Sequence, residues 1–329
     1  MKSMLASGIH CINMERGSKM KKYVFGVDIG GTTVKMGFFT VEGELLEKWE
    51  IPTRTENNSE NLIPDIAAAI DSKLAERGIS KEEVSGVGFG VPGTVTKEGI
   101  VLMNANLGWR DKPIAKELGE LTGLPCKGGN DVNIAGLGEM WKGGAAEYNN
   151  AVFLTLGTGI GAAIIVEGQV ILGTMGAAGE IGHMKVEMDE TVSCGCGNIG
   201  CVEQYASANG IVKMANKKLA ECDTSSVLRD VEVTSKEVFD AYKAGDEVAI
   251  EVVEKFGHYL GYSLAATAAV VDPEAFIIGG GVSKAGEVVI DVVQKYYKQY
   301  VWPGCRDKKF ALAKLGNDAG IYGAASYVL

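Results

Sequence analysis

Twice in this 329-residue chain an apolar strand runs into a glycine turn, comes back as a second apolar strand and turns again into a third. Tyr23–Asp28 ends in Ile29-Gly30-Gly31, Val34–Thr40 follows, and Glu42-Gly43 leads into Leu45–Ile51. Ala151–Leu156 ends in Gly157-Thr158-Gly159-Ile160-Gly161, Ala162–Val166 follows, and Glu167-Gly168 leads into Gln169–Leu172. Hairpin spacing makes each set an antiparallel three-strand meander. The repeat is one of architecture, not of letters, and it calls for two similar halves. At ~150 residues per domain the length agrees with two domains.

Elsewhere the periodicity is mostly helical. Helices are expected over 62–77, stopped by Gly78, over 113–122 and over 132–142, the last two flanking a short segment at 124–128. Further helices are expected over 207–221, 235–244, 247–270 and 286–300. Single strands fit Val84–Val91, ended by Pro92-Gly93, and Ala275–Ile278, ended by Gly279-Gly280-Gly281. A small-residue helix, Asp318–Val328, closes the chain with Asn317 as its expected N-cap. The net charge of -10 argues against nucleic acid and acidic membranes as partners. No stretch reaches the ~18 apolar residues of a membrane span, Tyr262–Val271 being too short. Residues 1–19 develop no apolar signal region and read as a disordered extension or an early start before Met20. The seven cysteines therefore belong in a reducing cytoplasm.

Four clusters can do chemistry. The first is Asp28, Gly30, Gly31, Thr32, Thr33 and Lys35, where a carboxylate ends a buried strand beside a turn whose backbone N–H groups can meet an anion. A satisfied hairpin turn is the plain alternative, but Gly157, Thr158, Gly159 and Gly161 repeat the arrangement, which suggests two phosphate turns facing each other across a cleft. Neither has the G-x-x-x-x-G-K-[ST] order of a P-loop. The second cluster is Asn130-Asp131 ahead of a helix. Asp131 reads either as an N-cap or as a general base that accepts a hydroxyl proton. Asp28, beside its glycine turn, suits Mg²⁺ better than the base role.

The third cluster is His183, Cys194, Cys196 and Cys201, with glycines at 195, 197 and 200 to form tight turns. Four N/S donors make a closed tetrahedral site, the chemistry of structural zinc. The fourth is a set of polar groups, Glu180 and Glu203 flanking those ligands and Asn104 and Asn106 after Pro92-Gly93, which suit sugar hydroxyls. For Asn106 the backbone-satisfying role is favoured.

Together these segments resemble the ROK family of sugar kinases and repressors, within the hexokinase–actin ATPase superfamily. The resemblance spans about residues 22–329 and includes Gly176–His183 and the run Cys194–Glu203. It implies an α/β, two-domain actin-like ATPase (ribonuclease H-like) fold with an interdomain cleft and a zinc knuckle. The implied boundaries are 20–131 plus 316–329 for a smaller domain and 132–315 for a larger one. It implies Asp131 as catalytic base, with Asn104, Asn130, Asp131, Glu180, His183 and Glu203 on the sugar. It further implies Gly279, Gly280 and Gly281 near the adenosine of ATP, Mg²⁺ with the nucleotide, structural Zn²⁺, and a homodimer or homotetramer. Asn106-Leu107-Gly108-Trp109 and Glu180–Met184 look most like the glucokinase branch, so glucose is the expected substrate. Ala162 and Ala163 depart from the glycines common in relatives. The alternatives are a kinase for N-acetylmannosamine, allose or fructose, polyphosphate as a further donor, or a sugar-sensing regulator. About 20 residues before the first strand are too few for a DNA-binding helix-turn-helix.

Overall fold

The computed structural model describes residues 20–329; the extension expected at 1–19 lies outside them. The first half runs β1 (Tyr23–Ile29), β2 (Thr33–Thr40), β3 (Leu45–Pro52), a short turn α1 (Glu56–Ser59), α2 (Leu62–Arg77) and β4 (Val84–Val91). It continues with β5 (Thr94–Val95), β6 (Val101–Asn104), β7 (Trp109–Lys112), α3 (Ile114–Thr122) and β8 (Cys126–Asn130). Then come α4 (Asp131–Lys142), β9 (Ala151–Leu156), β10 (Ile160–Val166), β11 (Gln169–Val170), α5 (Glu203–Ala206), α6 (Ala208–Glu221) and α7 (Ser235–Lys243). The chain ends through α8 (Glu247–Val271), β12 (Ala275–Gly279), α9 (Glu287–Tyr300), β13 (Lys309–Leu312) and α10 (Ala319–Val328).

The doubled meander becomes two five-stranded sheets of one topology. The first has the order β3-β2-β1-β4-β8 and the second β11-β10-β9-β12-β13. In each, three strands pair antiparallel and two more add parallel, β4 on β1 and β12 on β9. Parallel pairing needs a crossover, which α2 supplies in the first half and α6 to α8 in the second. Each sheet has its own core: Phe25, Phe38, Ile66 and Phe89 in one, Leu154, Phe256, Leu264 and Phe276 in the other. The three-strand sheet β5-β6-β7 and the edge strand β13 were not expected, because strands of two to four residues carry too little alternation to read. Among the described residues no helix is long and apolar enough to cross a membrane.

Helix α10 returns from the second sheet to lie on β1, β4 and α4. It does so at backbone contact: a Cβ on Gly88 would sit 1.6 Å from the Ala324 carbonyl oxygen, and one on Gly323 1.6 Å from that of Ile134. The small residues of this helix are therefore steric necessities. Its expected cap is corrected. Asp318, not Asn317, holds the cap position, in helical φ/ψ and without a side-chain cap bond, because a 3₁₀ turn at Gly316–Asp318 runs straight into the helix. Asn317 instead offers its carbonyl to Lys35 Nζ at 3.3 Å.

Candidate active site

Asp28 lies at the end of β1, opposite Lys35 on β2 and beside Gly90 on β4. Its carboxylate accepts no hydrogen bond from the described residues, and burial pushes it up to about 6 against the pull of Lys35. Gly320, near the start of α10, is pressed against it; a Cβ there would meet the carboxyl carbon at 2.7 Å. The Gly30-Gly31 turn closes through Gly30 N–H donating to Thr33 O at 3.0 Å. Neither glycine has a positive φ, so Gly30 is needed for space, its Cβ position lying 2.8 Å from Thr33 O, while Gly31 faces open space.

A cavity of ≈ 520 Å³ gathers Asp28, Lys35, Asp131 and Gly279–Gly281. It also takes in Lys284 and Gly320, which sequence reading missed. A lysine shortly after a glycine run was the available signal for Lys284. Gly320 carried none, because only the folded chain puts it on Asp28. The second glycine turn opens elsewhere, into a cavity of ≈ 520 Å³ with Thr158, Gly159, Cys194 and Glu203 on its wall. Its far end packs on α4, where a Cβ at Gly161 would lie 2.6 Å from Val132 Cγ2. Asp28 and Lys35 of the first meander and the second glycine turn thus open into different cavities.

The N-terminus of α4 separates the two jobs open to Asp131. Asn130 is the cap, its Oδ1 accepting from Val132 N–H at 3.0 Å and Asn133 N–H at 3.1 Å. Asp131 is the first helical residue, and its Oδ1 accepts from Val132 N–H at 3.0 Å. Burial holds its carboxyl above the ordinary range, and the negative Glu180 adds to this, while backbone hydrogen bonds oppose it. Asn130 Nδ2 donates to Gly93 O at 3.0 Å, and the buried Asn104 donates to Pro92 O at 2.9 Å, so both asparagines hold the Pro92-Gly93 turn. Asn104 Oδ1 also accepts from Leu107 N–H at 3.0 Å, which leaves one N–H and one lone pair for a ligand. Asn106 is exposed.

His183, Cys194, Cys196 and Cys201 come together, with their donor atoms all within 4.8 Å of one another. Cys196 and Cys201 sulfurs are 3.7 Å apart, and Cys194 Sγ is 3.9 Å from His183 Nδ1. Two sulfurs on one tetrahedral Zn²⁺ at ~2.3 Å would stand ~3.8 Å apart, so the donor set fits zinc. Gly197 and Gly200 turn with φ 91° and 73°; Gly195 does not need glycine for its dihedral, contrary to expectation. His183 Nε2 faces the exposed Glu180 carboxylate at 4.0 Å. The glycines around Glu180 seat its loop on β10: Cβ atoms at Gly179 and Gly182 would lie 2.6 Å and 2.4 Å from the carbonyls of Ala162 and Ile160. Ala163 packs on Gly136 of α4, so the departure after Gly161 is absorbed in packing. Glu203 Oε2 accepts from Ile160 N–H at 2.8 Å, and Cys194 Sγ donates to its Oε1 at 3.8 Å, so Glu203 links the glycine turn to the cysteine loop.

Two sheets of one topology, joined through a helix that starts on a carboxylate in a cleft, are the α/β architecture of the actin-like ATPase class. The ROK family model matches residues 24–329. A glucokinase of Halalkalibacterium halodurans is 41% identical over 308 residues, 92% of this chain and 93% of that protein. A glucokinase of Streptomyces coelicolor is 35% identical over 91% of this chain and 95% of its own. The crystal structure of a ROK family glucokinase from Streptomyces griseus, in complex with glucose and AMPPNP, superposes with a TM-score of 0.71 at 34% identity, covering 92% of this chain and 98% of that one. The chain belongs to the ROK family.

Proposed function

We propose that this protein is a glucokinase that transfers the γ-phosphoryl group of ATP to the 6-hydroxyl of glucose. The observation that carries the reading is the state of Asp131: released from capping by Asn130, half-buried and on the wall of the cavity that also holds Asp28, Lys35 and Gly279–Gly281. In the reaction an Asp131 oxygen takes the proton of the sugar hydroxyl as that oxygen bonds to the γ-phosphorus and the bond to the β-phosphate oxygen breaks, leaving ADP. Lys35 and the N–H groups of the Gly30-Gly31 turn hold negative charge on one side, with Gly157–Gly161 on the other. Gly279–Gly281 leave room for the adenosine. Mg²⁺ arriving with the nucleotide would be held at Asp28 and neutralise phosphate charge.

The sugar contacts in this reading are Asn104, Asn130, Glu180, His183 and Glu203. The cysteines would fix the loop by which His183 meets the sugar, a role outside the chemistry for Zn²⁺. Residues 20–131 with 316–329, and 132–315, act as domains that close over both substrates. The protein works in the cytoplasm as a homodimer or homotetramer, which light scattering distinguishes. The test of the function is a sugar panel with Mg·ATP, following ADP and identifying the product. Selective formation of glucose 6-phosphate is expected. Turnover of another hexose alone would overturn glucose as substrate. No turnover, from zinc-loaded protein that still binds sugar, would overturn the kinase reading in favour of a sensor.

A further inference from the structure

Glu139 is the only completely buried carboxylate among the described residues. Its partners are backbone N–H groups: Oε2 accepts from Gly144 at 2.6 Å and from Lys314 at 3.0 Å, and Oε1 accepts from Leu315 at 2.8 Å. Those amides lie on different passages of the chain. It leaves the first sheet for the second through α4, just beyond which stands Gly144, and it returns through 313–318, where Lys314 and Leu315 stand. One side chain therefore ties both crossings together. Space is kept for it, since a Cβ at Gly143 would lie 2.0 Å from Oε2. Asp131, Ala135 and Glu139 follow at four-residue spacing on α4, and all three line the cavity that Lys314, Gly316 and Asn317 also line.

A buried charge is costly unless several donors hold it, and here three do. A carboxylate also accepts over a wide range of directions on either oxygen, so its bonds persist while the donors swing. We propose that Glu139 is the pivot of cleft closure, a positioning residue that keeps the two crossings in register and so delivers Asp131 to the phosphate-side residues. Its kinetic and scattering readouts rest on the glucokinase reading; hydrogen exchange without ligand does not.

Glu139→Gln keeps the shape but cannot keep the bonds. The better rotation of the amide retains Gly144 and Lys314 and turns an N–H₂ toward the Leu315 N–H. Glucose affinity without nucleotide should stay within about twofold of the parent, while kcat falls about tenfold or more and KM for ATP rises. The contraction on adding glucose and AMPPNP, read by small-angle X-ray scattering, should be smaller than in the parent. Parental kcat together with full contraction would overturn the pivot. Hydrogen exchange on the unmodified protein decides the matter even if the variant does not fold. The amides of Gly144, Lys314 and Leu315 should be protected without ligand and slower still with glucose and AMPPNP. Exchange at open-loop rates would overturn the proposal whether or not any sugar is turned over.

Discussion

Replacing Asp28 by asparagine should make the ligand-free protein more stable and less active, and the stability gain should depend on pH. The carboxylate is largely buried, accepts no hydrogen bond from the described residues and is only partly compensated by Lys35, so it sits at about 6 instead of 3.8. A folded-state value above the unfolded one means that the folded protein favours the protonated form. Stability from this group is then present below about pH 4 and is lost as pH rises to about 6. Each tenfold change in proton affinity is worth ~1.4 kcal/mol, so the ionised group costs about 3 kcal/mol at pH 8. Asparagine keeps the size and removes the charge. Asp28→Asn should therefore gain about 1–3 kcal/mol at pH 8 and close to nothing at about pH 4. Urea unfolding of both proteins at the two pH values, in one buffer series without ligand, measures the difference directly. No gain at pH 8, or an equal gain at both, would refute the argument that burial strains this carboxylate. Loss of turnover in the same variant would tie that strain to the reaction.

Asp131→Ala should lower kcat by roughly 10² to 10⁴-fold with glucose binding largely kept, as steady-state kinetics beside calorimetric titration with glucose would show. Turnover near the parental rate would remove Asp131 from the base role. Metal analysis should find about one zinc per chain, and chelation should raise KM for glucose by about tenfold or more while leaving nucleotide binding in place. An equal loss of nucleotide binding would mean that the cysteine loop holds more than the sugar side. Gly323→Ala drives a Cβ to 1.6 Å from the Ile134 carbonyl oxygen and should cost about 3 kcal/mol or more, read as a lower urea midpoint. A midpoint within error of the parent would show that the α4–α10 crossing can separate cheaply.

Much of the site was legible because its signals are local. The turn at Gly30-Gly31 follows from an apolar run meeting glycines, and the Cys/His cluster follows from three cysteines within eight residues. Local signals did not decide between jobs. Asn130 and Asp131 are both good capping residues, and only the backbone geometry of α4 gives the cap position to Asn130 and makes Asp131 the first helical residue. Asn317 was misread for the same reason, since cap preference says nothing about a 3₁₀ turn that already feeds the helix.

What the letters alone determine is the period-two runs, their glycine turns and hence two meanders, together with the donor set for a metal. These depend on neighbours within a few residues, where sterics and patterning act directly. What only the tertiary structure decides is who meets whom across the chain. Gly320 becomes the floor beneath Asp28, Glu203 becomes a link between a turn and a cysteine loop, and Glu139 closes on amides 175 and 176 residues away. Such contacts arise because a parallel sheet needs long crossovers and because α10 must come back across the molecule to cover the first sheet. No local propensity encodes the partner at the far end of that path.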